Sequence, residues 1–206
     1  VFPRLAVKVS RLRLSERGRA DEFAAVDEAA LSVQVLPLLR KQLVIDRISA
    51  RGVRAVYSRD AQGARNIDDL FAAGKPDAAA ASGPPMRFDV SAVQFDDVRL
   101  RLRDDVIKLA GEIALQSFSS GRLANQAEAP VALRARVSLT QPQPLNLALD
   151  GRATLALDLD KNAVAASGLK LDVQGDAAGI KGLAATLDGA LAWDGSALRA
   201  GPLQVS

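Results

Sequence analysis

The chain has 206 residues, with 27 Lys and Arg against 24 Asp and Glu, a formal charge of +3, and neither His nor Cys. The lack of His and Cys removes the commonest general base, the thiolate nucleophile, the usual zinc ligands and any disulfide framework. The length allows one large or two small domains, and no apolar run is long enough to span a bilayer.

The first predicted elements are a strand and a short helix. Leu31, Val33 and Val35 alternate with polar residues, which is the period of a half-buried strand. Residues 36–40 break this alternation, and Pro37 suits the first turn of a helix, where a missing N–H costs nothing. We therefore expect a strand that ends in one helical turn.

Strands and a turn follow. Alternating apolar residues predict strands over 43–48 and 53–57. Asp60 and Gly63 occupy the first and fourth positions of a reverse turn. Asn66 can cap a second short helix over 66–73, with Asp69 three residues later in a capping-box arrangement.

This order of short motifs resembles the N-terminal region of the AsmA family of bacterial envelope proteins. The matching segments are Phe23–Ala29, Leu36–Arg40, Val44–Asp46 and Arg59–Leu70. Gln42 and Ile67 depart from the pattern, where many relatives have Gly and Trp. The resemblance implies a periplasmic protein held in the inner membrane by a helix upstream of Val1, with an apolar β-groove suited to acyl chains.

The composition predicts a boundary in the middle of the chain. Residues 1–74 form the strand and short-helix module, and residues 75–87 form an Ala/Pro/Gly-rich linker. Residues 88–206 form a long-stranded β region, which can also be continuous with the first module as one elongated sheet. Its predicted strands cover 88–102, 106–118, 131–139, 145–159, 164–173, 183–193 and 198–205.

Asp150-Gly151 is a typical hairpin signal, but the parity of the leucines argues against a turn there. A two-residue hairpin would pair Leu149 with Arg152 and so mix apolar and polar residues on each face. One continuous strand instead keeps all its leucines on one face, with Gly151 among them. Gly189 repeats this arrangement, so we expect long strands that each contain a glycine where the sheet can bend or bulge.

No catalytic, metal or nucleic-acid site is predicted. Asp158, Asp160 and Asn162 match the start of a calcium loop, but Ala163 and Leu169 stand where that loop needs Gly and Glu. An alternating row of arginines, Arg99, Arg101 and Arg103, lacks the interleaved aromatic residues that stack on bases. We therefore expect neither an enzyme, nor a cofactor, nor a nucleic-acid partner, and the arginines to lie on a solvated face.

The predicted fold is mainly β, with long antiparallel strands in a curved, groove-like or sandwich-like sheet and two short helices near the N-terminus. The chain offers little helix to cover the apolar side of such a sheet. Either two sheets pack face to face, or one sheet forms a groove that something other than protein fills. Composition leaves this choice open.

Two functions remain as hypotheses. The resemblance implies a membrane-anchored periplasmic module that shields acyl chains of phospholipid or another lipid, and contributes to outer-membrane biogenesis and lipid transport between membranes. The alternative is a non-catalytic scaffold or chaperone-like factor for outer-membrane proteins or assembly factors. The predicted lipid-facing residues are Leu145, Leu147, Leu149, Leu155, Leu157, Leu159, Leu171, Val173, Leu183, Leu187 and Leu191, and the predicted structural residues are Pro37, Gly63 and Asn66.

Overall fold

The fold is known from a computed structural model that describes residues 4–15, 22–39, 44–68, 89–202 and 204–206. One short helix, α1, has described bounds, Val35–Leu39. The strands are β1 (Arg4–Ser15), β2 (Glu22–Gln34), β3 (Val44–Arg59), β4 (Asp89–Val90), β5 (Val93–Asp104), β6 (Leu109–Ser120), β7 (Leu123–Ala124), β8 (Glu128–Gln141), β9 (Leu145–Asp158), β10 (Ala163–Ala177), β11 (Ile180–Trp193), β12 (Leu198–Ala200) and β13 (Gln204–Val205).

All these strands belong to one open, curved sheet of 13 strands. The order is β1-β2-β3-β5-β6-β8-β9-β10-β11-β12, with β13 beside β11, and the small strand β4 between β3 and β7. The prediction of a mainly β fold is confirmed. Within the described ranges, each strand makes its main contacts with its neighbours in the sheet, and no second sheet packs on either face.

The long strands of the second half continue through their glycines, as the parity of the leucines predicts. In β9, Leu149 lies opposite Ala135 and Gly151 lies opposite Leu133, so the strand does not turn at Asp150. Likewise, β11 continues through Gly189, which lies opposite Leu169.

The pairing on one side of β3 is parallel, whereas the sequence predicts antiparallel strands. The short strand β4 pairs in parallel with the start of β3. Strand β3 pairs in parallel with β5, from Ile48 beside Val93 to Arg59 beside Asp104. Parallel neighbours need a long crossover between them, and residues 60–92 separate these two strands. The first module and the long-stranded region thus share one sheet, while the predicted linker at 75–87 lies outside the described residues.

The two predicted N-terminal helices are not supported as elements of the fold. Strand β2 leads into α1, a single turn of five residues that contains Pro37. Asn66 lies in a turn, and residues 69–73 of the second predicted helix lie outside the described ranges. The Asn66 amide bonds β3: its Oδ1 accepts from the Ser58 N–H at 2.9 Å and its Nδ2 donates to the Val56 carbonyl at 2.7 Å. Asp69, the partner in the predicted capping box, lies outside the described ranges.

The turn before Asn66 has the predicted chemistry. The Gly63 N–H donates to the Asp60 carbonyl at 3.0 Å, and Gly63 has φ +90°, a conformation that favours glycine. The Asp60 carboxylate accepts from the backbone N–H groups of Gln62 and Ala64, both at 2.9 Å. Next to it, the Asp68 carboxylate accepts from the Arg65 N–H at 2.9 Å.

Candidate functional site: an open apolar sheet face

One face of the sheet is apolar in every long strand, and we call it the apolar face. Residues that pair across neighbouring strands share a face, so the registers place its members in rows that cross the sheet. One row consists of Leu12, Val26, Val53, Val98, Leu115, Ala135, Leu149, Val173 and Ala185. At roughly 4.8 Å between neighbouring strands, such a row extends on the order of 40 Å.

Rows on both sides of this one are also apolar. The first consists of Leu14, Ala24, Ala55, Leu100, Ile113, Val137, Leu147, Gly175 and Leu183, and the second of Val9, Ala29, Ala50, Phe95, Phe118, Leu133, Gly151, Leu171 and Leu187. Within the second row the rings of Phe95 and Phe118 stack, with centroids 5.9 Å apart. The apolar face is therefore a continuous surface that runs from β1 to β11.

A line of irregular residues keeps this face continuous in the first half of the sheet. Arg11, Gly52 and Asp97 have φ of 55°, 63° and 51°, and each is skipped in the pairing with the neighbouring strands. Asp27 in β2 and Gln116 in β6 are skipped at the same level. An extra residue reverses the parity of a strand. We call this line of residues the crease. If the odd-numbered residues of a strand lie on the apolar face on one side of the crease, its even-numbered residues lie on that face on the other side.

Gly52 is buried at the centre of the crease because another side chain occupies the space beside it. A Cβ on Gly52 would lie against the Asp27 carboxylate. That carboxylate accepts two hydrogen bonds from Arg54, at 2.9 Å and 3.2 Å from its two guanidinium nitrogens. The same hydrogen bonds lower the pKa of Asp27 from its ordinary value. The crease thus combines a left-handed glycine with a paired carboxylate.

Gly151 on the apolar face is buried by leucines from both neighbouring strands. A Cβ at this position would meet Leu171 Cδ1 at 3.2 Å and Leu133 Cγ at 3.4 Å. The gap left by the missing side chain is therefore filled by protein.

The opposite face is polar and carries ion pairs between strands. Arg134 meets Asp150 at 2.8 Å, and Lys170 meets Asp188 at 3.6 Å. The predicted arginine row lies on this face, where its members pair with Asp97, Glu112 and Asp105. These exposed pairs contribute little to stability individually, but they mark this face as the solvated one.

Little of the apolar face is shielded by the described part of the protein. Its buried apolar side chains are few and mostly small, such as Ala129 and Ala135. Large side chains at both edges stay open to solvent, with Leu5 at 57% exposed in β1 and Leu198 at 68% exposed in β12. Most residues between them are half-buried by their sheet neighbours alone. Of the two predicted arrangements, the described residues form the open sheet.

Ten of the predicted lipid-facing residues lie on the apolar face, within β9, β10 and β11. Leu159 is the exception in position, because it follows the end of β9 and is 50% exposed. Its backbone N–H donates to Asn125 Oδ1 at 2.8 Å, which ties this turn to the segment after β7.

Sequence reasoning missed the contribution of β1 to β6 to the apolar face. The crease interrupts the alternation in each of these strands except β4, so no single parity extends over a whole strand. A signal was present at Asp96-Asp97, where Phe95 and Val98 lie on the same face although their numbers differ in parity.

The acidic triplet that starts like a calcium loop is used in a turn. Asp158 accepts from the backbone and side chain of Lys161, and these contacts lower the pKa of its carboxyl group. Asp160 accepts from Asn125 at 2.9 Å. No group of three His, Cys, Asp or Glu in the described ranges could hold a metal ion. A search of the same residues finds no helix long and apolar enough to cross a membrane.

Comparison with known proteins gives one match. The model of the AsmA family matches residues 1–135, which include the crease and the strands up to the middle of β8. No curated protein and no solved structure matches the chain.

Proposed function

Because the chain belongs to the AsmA family, we propose that its apolar face holds the acyl chains of phospholipid or a related lipid. The module acts in the periplasm, anchored to the inner membrane, and contributes to outer-membrane biogenesis and lipid transport between membranes. The supporting observation is a continuous apolar face without a second protein layer among the described residues. An envelope role also agrees with the family.

The dimensions and energetics of the apolar face suit this role. Each row extends on the order of 40 Å, which is longer than one extended acyl chain. At roughly 0.8 kcal/mol per buried CH₂, a chain of about sixteen carbons gains on the order of 12 kcal/mol before ordering costs. Binding a lipid breaks no covalent bond, so this role requires no catalytic group.

The test is the lipid content of the purified 206-residue chain. We expect mass spectrometry of a solvent extract to find phospholipid bound in a reproducible ratio, and washing with a lipid-free protein of similar size to leave it in place. A matched preparation of an unrelated β-rich protein controls for carry-over. Repeated absence of lipid would contradict the proposal.

Crosslinking separates this function from the scaffold alternative. A photoreactive residue in place of Leu149, in the middle of the apolar face, should form lipid adducts in cells. A photoreactive residue in place of Lys8, on the polar face of the edge strand β1, should form none. Protein adducts at both positions without lipid adducts would favour the scaffold.

A further inference from the structure

Among the described residues, strand β1 forms an open edge of the sheet. It pairs with β2 along one side, and no described residue pairs with its other side. All twelve of its residues are exposed. An edge of this length presents a row of unpaired backbone N–H and C=O groups, which can accept another strand.

The side chains of β1 divide cleanly between the two faces. Leu5, Val7, Val9, Leu12 and Leu14 lie on the apolar face. The charged residues of the strand are Arg4, Lys8, Arg11 and Arg13, and it contains no acidic residue. Edge strands often carry lysine that discourages pairing. Here, basic residues of β1 also take part in ion pairs with the neighbouring strands, such as Arg4 with Asp46 of β3 at 3.5 Å.

Charge alternates from strand to strand at this end of the sheet. Strand β2 has acidic residues and no basic ones, whereas β3 has four arginines and one aspartate. Glu28 of β2 meets Lys8 of β1 at 2.8 Å, and Asp27 of β2 meets Arg54 of β3 at 2.9 Å. Strands β1, β2 and β3 are thus mainly basic, acidic and basic in turn. An acidic strand beyond β1 would continue this alternation.

We propose that the outer edge of β1 binds an extended segment of a partner protein in which acidic and apolar residues alternate. Its backbone pairs with β1, its acidic side chains lie beside Arg4, Lys8 and Arg13, and its apolar side chains extend the apolar face. Opposite charges on paired strands stabilise the pairing, and this mode of recognition is strand addition. The proposal stands whether or not the apolar face carries lipid.

Two other occupants fit less well. A second copy of β1 would place basic residues opposite basic residues, which destabilises a pair of strands. An anionic bilayer would attract the basic residues, but the leucines and valines of β1 point away from them on the other face of the sheet. Only a strand added in the plane of the sheet meets both sets of side chains.

The test uses synthetic peptides on the 206-residue chain. The probe is a capped ten-residue peptide that alternates Val and Glu, and its controls replace each Glu with Lys or group the same residues in two blocks. We expect the alternating acidic peptide to slow amide hydrogen exchange in residues 4–15. The Lys peptide should bind about tenfold more weakly or worse, since several cross-strand charge pairs become repulsive.

Variants of the protein identify the edge. The double substitution Arg4→Gln and Arg13→Gln should weaken binding of the acidic peptide, whereas Arg199→Gln in β12 at the far side of the sheet should not. Equal binding of the acidic and Lys peptides, or protection confined to β11 and β12, would overturn the proposal. So would vesicles of phosphatidylglycerol binding through Arg4 and Arg13 while neither peptide binds.

Discussion

Asn66 shows how a single amide can hold a connecting segment against the sheet. Its side chain bonds the backbone of Ser58 and Val56, and its own N–H donates to the Ser58 carbonyl at 3.1 Å. These contacts satisfy backbone groups at the end of β3. The residue is therefore a link between the turn and the strand.

Replacing Asn66 with Ala should lower the free energy of unfolding by about 1–3 kcal/mol, because partly buried backbone groups lose their partners. Chemical denaturation measures this change. Gln62→Ala is the matched control, since Gln62 is exposed in the neighbouring turn and its substitution should stay within about 0.5 kcal/mol. Equal midpoints for the two variants would contradict the assigned role.

Asp194 holds the turn between β11 and β12. Its Oδ1 accepts from the backbone N–H of Ala197 at 2.9 Å and from the backbone and hydroxyl of Ser196, and its Oδ2 lies 2.9 Å from Arg199. The Ala197 hydrogen bond is the main cause that lowers the pKa of Asp194 from 3.8 to about 2.

The pKa shift of Asp194 predicts how this turn responds to acid. Because the folded pKa lies below the unfolded one, the stabilisation is present above pH 3.8 and is lost as the pH falls towards about 2. We expect an NMR titration of the carboxyl group to show a midpoint near the lower value, with faster amide exchange at Ala197 below it. The Asp194→Asn variant should show no such transition, and a midpoint near 3.8 in the parent would refute the prediction.

Among the elements, the crease across β1, β2, β3, β5 and β6 is the feature with the largest consequence. Each strand gains one residue at the same level, so the whole set changes parity together. In each of these strands the apolar residues beyond the crease have the opposite parity to those before it, so a strand without its extra residue would turn one of the two sets to the polar face. The extra residue in each strand therefore preserves one apolar face.

Gly52→Ala tests the crease, with Gly168→Ala in β10 as its matched control. The two glycines have similar φ, 63° and 57°, but a Cβ at Gly168 would meet nothing within 4 Å, whereas at Gly52 it would meet the Asp27 carboxylate. Gly168→Ala should therefore cost only the left-handed conformation, about 1–2 kcal/mol. Gly52→Ala should cost more, because the Asp27–Arg54 pair must also move. Thermal unfolding measures the loss of stability in both variants. Equal losses would show that the contact with Asp27 adds nothing to the cost of Gly52→Ala.

The strands show what the periodicity of apolar residues in the sequence can predict and where it fails. Leu145 to Leu157 keep one parity, so β9 could be predicted as one strand through Gly151. The same rule fails at Gly52 and Asp97, because whether an extra residue makes a bulge or a turn depends on the strands beside it. The local sequence likewise predicts a helix cap at Asn66. It does not indicate the bonds to β3, because Ser58 and Val56 lie eight and ten residues earlier in the chain.

At the scale of the whole molecule, the described residues form a single layer. A sheet with one apolar side is normally stable only when another layer covers it. The described part of this sheet leaves its apolar face half-buried at most positions, with exposed leucines and valines at both edges. This arrangement favours a binding surface over a core.

Leu155→Asp separates a binding surface from a core. Leu155 lies on the apolar face between Ala129 and Ala166, and it is only half-buried. On an open face the carboxylate keeps contact with water, so the melting temperature should fall modestly while the amount of copurified lipid drops. A carboxylate in a closed core would instead be buried without a partner and would unfold the protein.

Thr154→Asp is the control for this experiment. It places the same charge one residue away on the polar face, between Pro130 and Ser167, and should leave bound lipid unchanged. Loss of folding in Leu155→Asp, or equal loss of lipid in both variants, would argue against the binding surface.

The sequence by itself determined the strands, their two chemically different faces and the family, since side-chain alternation and short motifs are local properties of the chain. Arg99 to Arg103 and the leucines of β9 were assignable in this way. The tertiary structure decided which strands are neighbours, where the crease crosses them, and that the described sheet stays open. Those features depend on pairing between residues far apart in the chain, such as Gly52 beside Asp27 and β3 beside β5, and no local pattern encodes them.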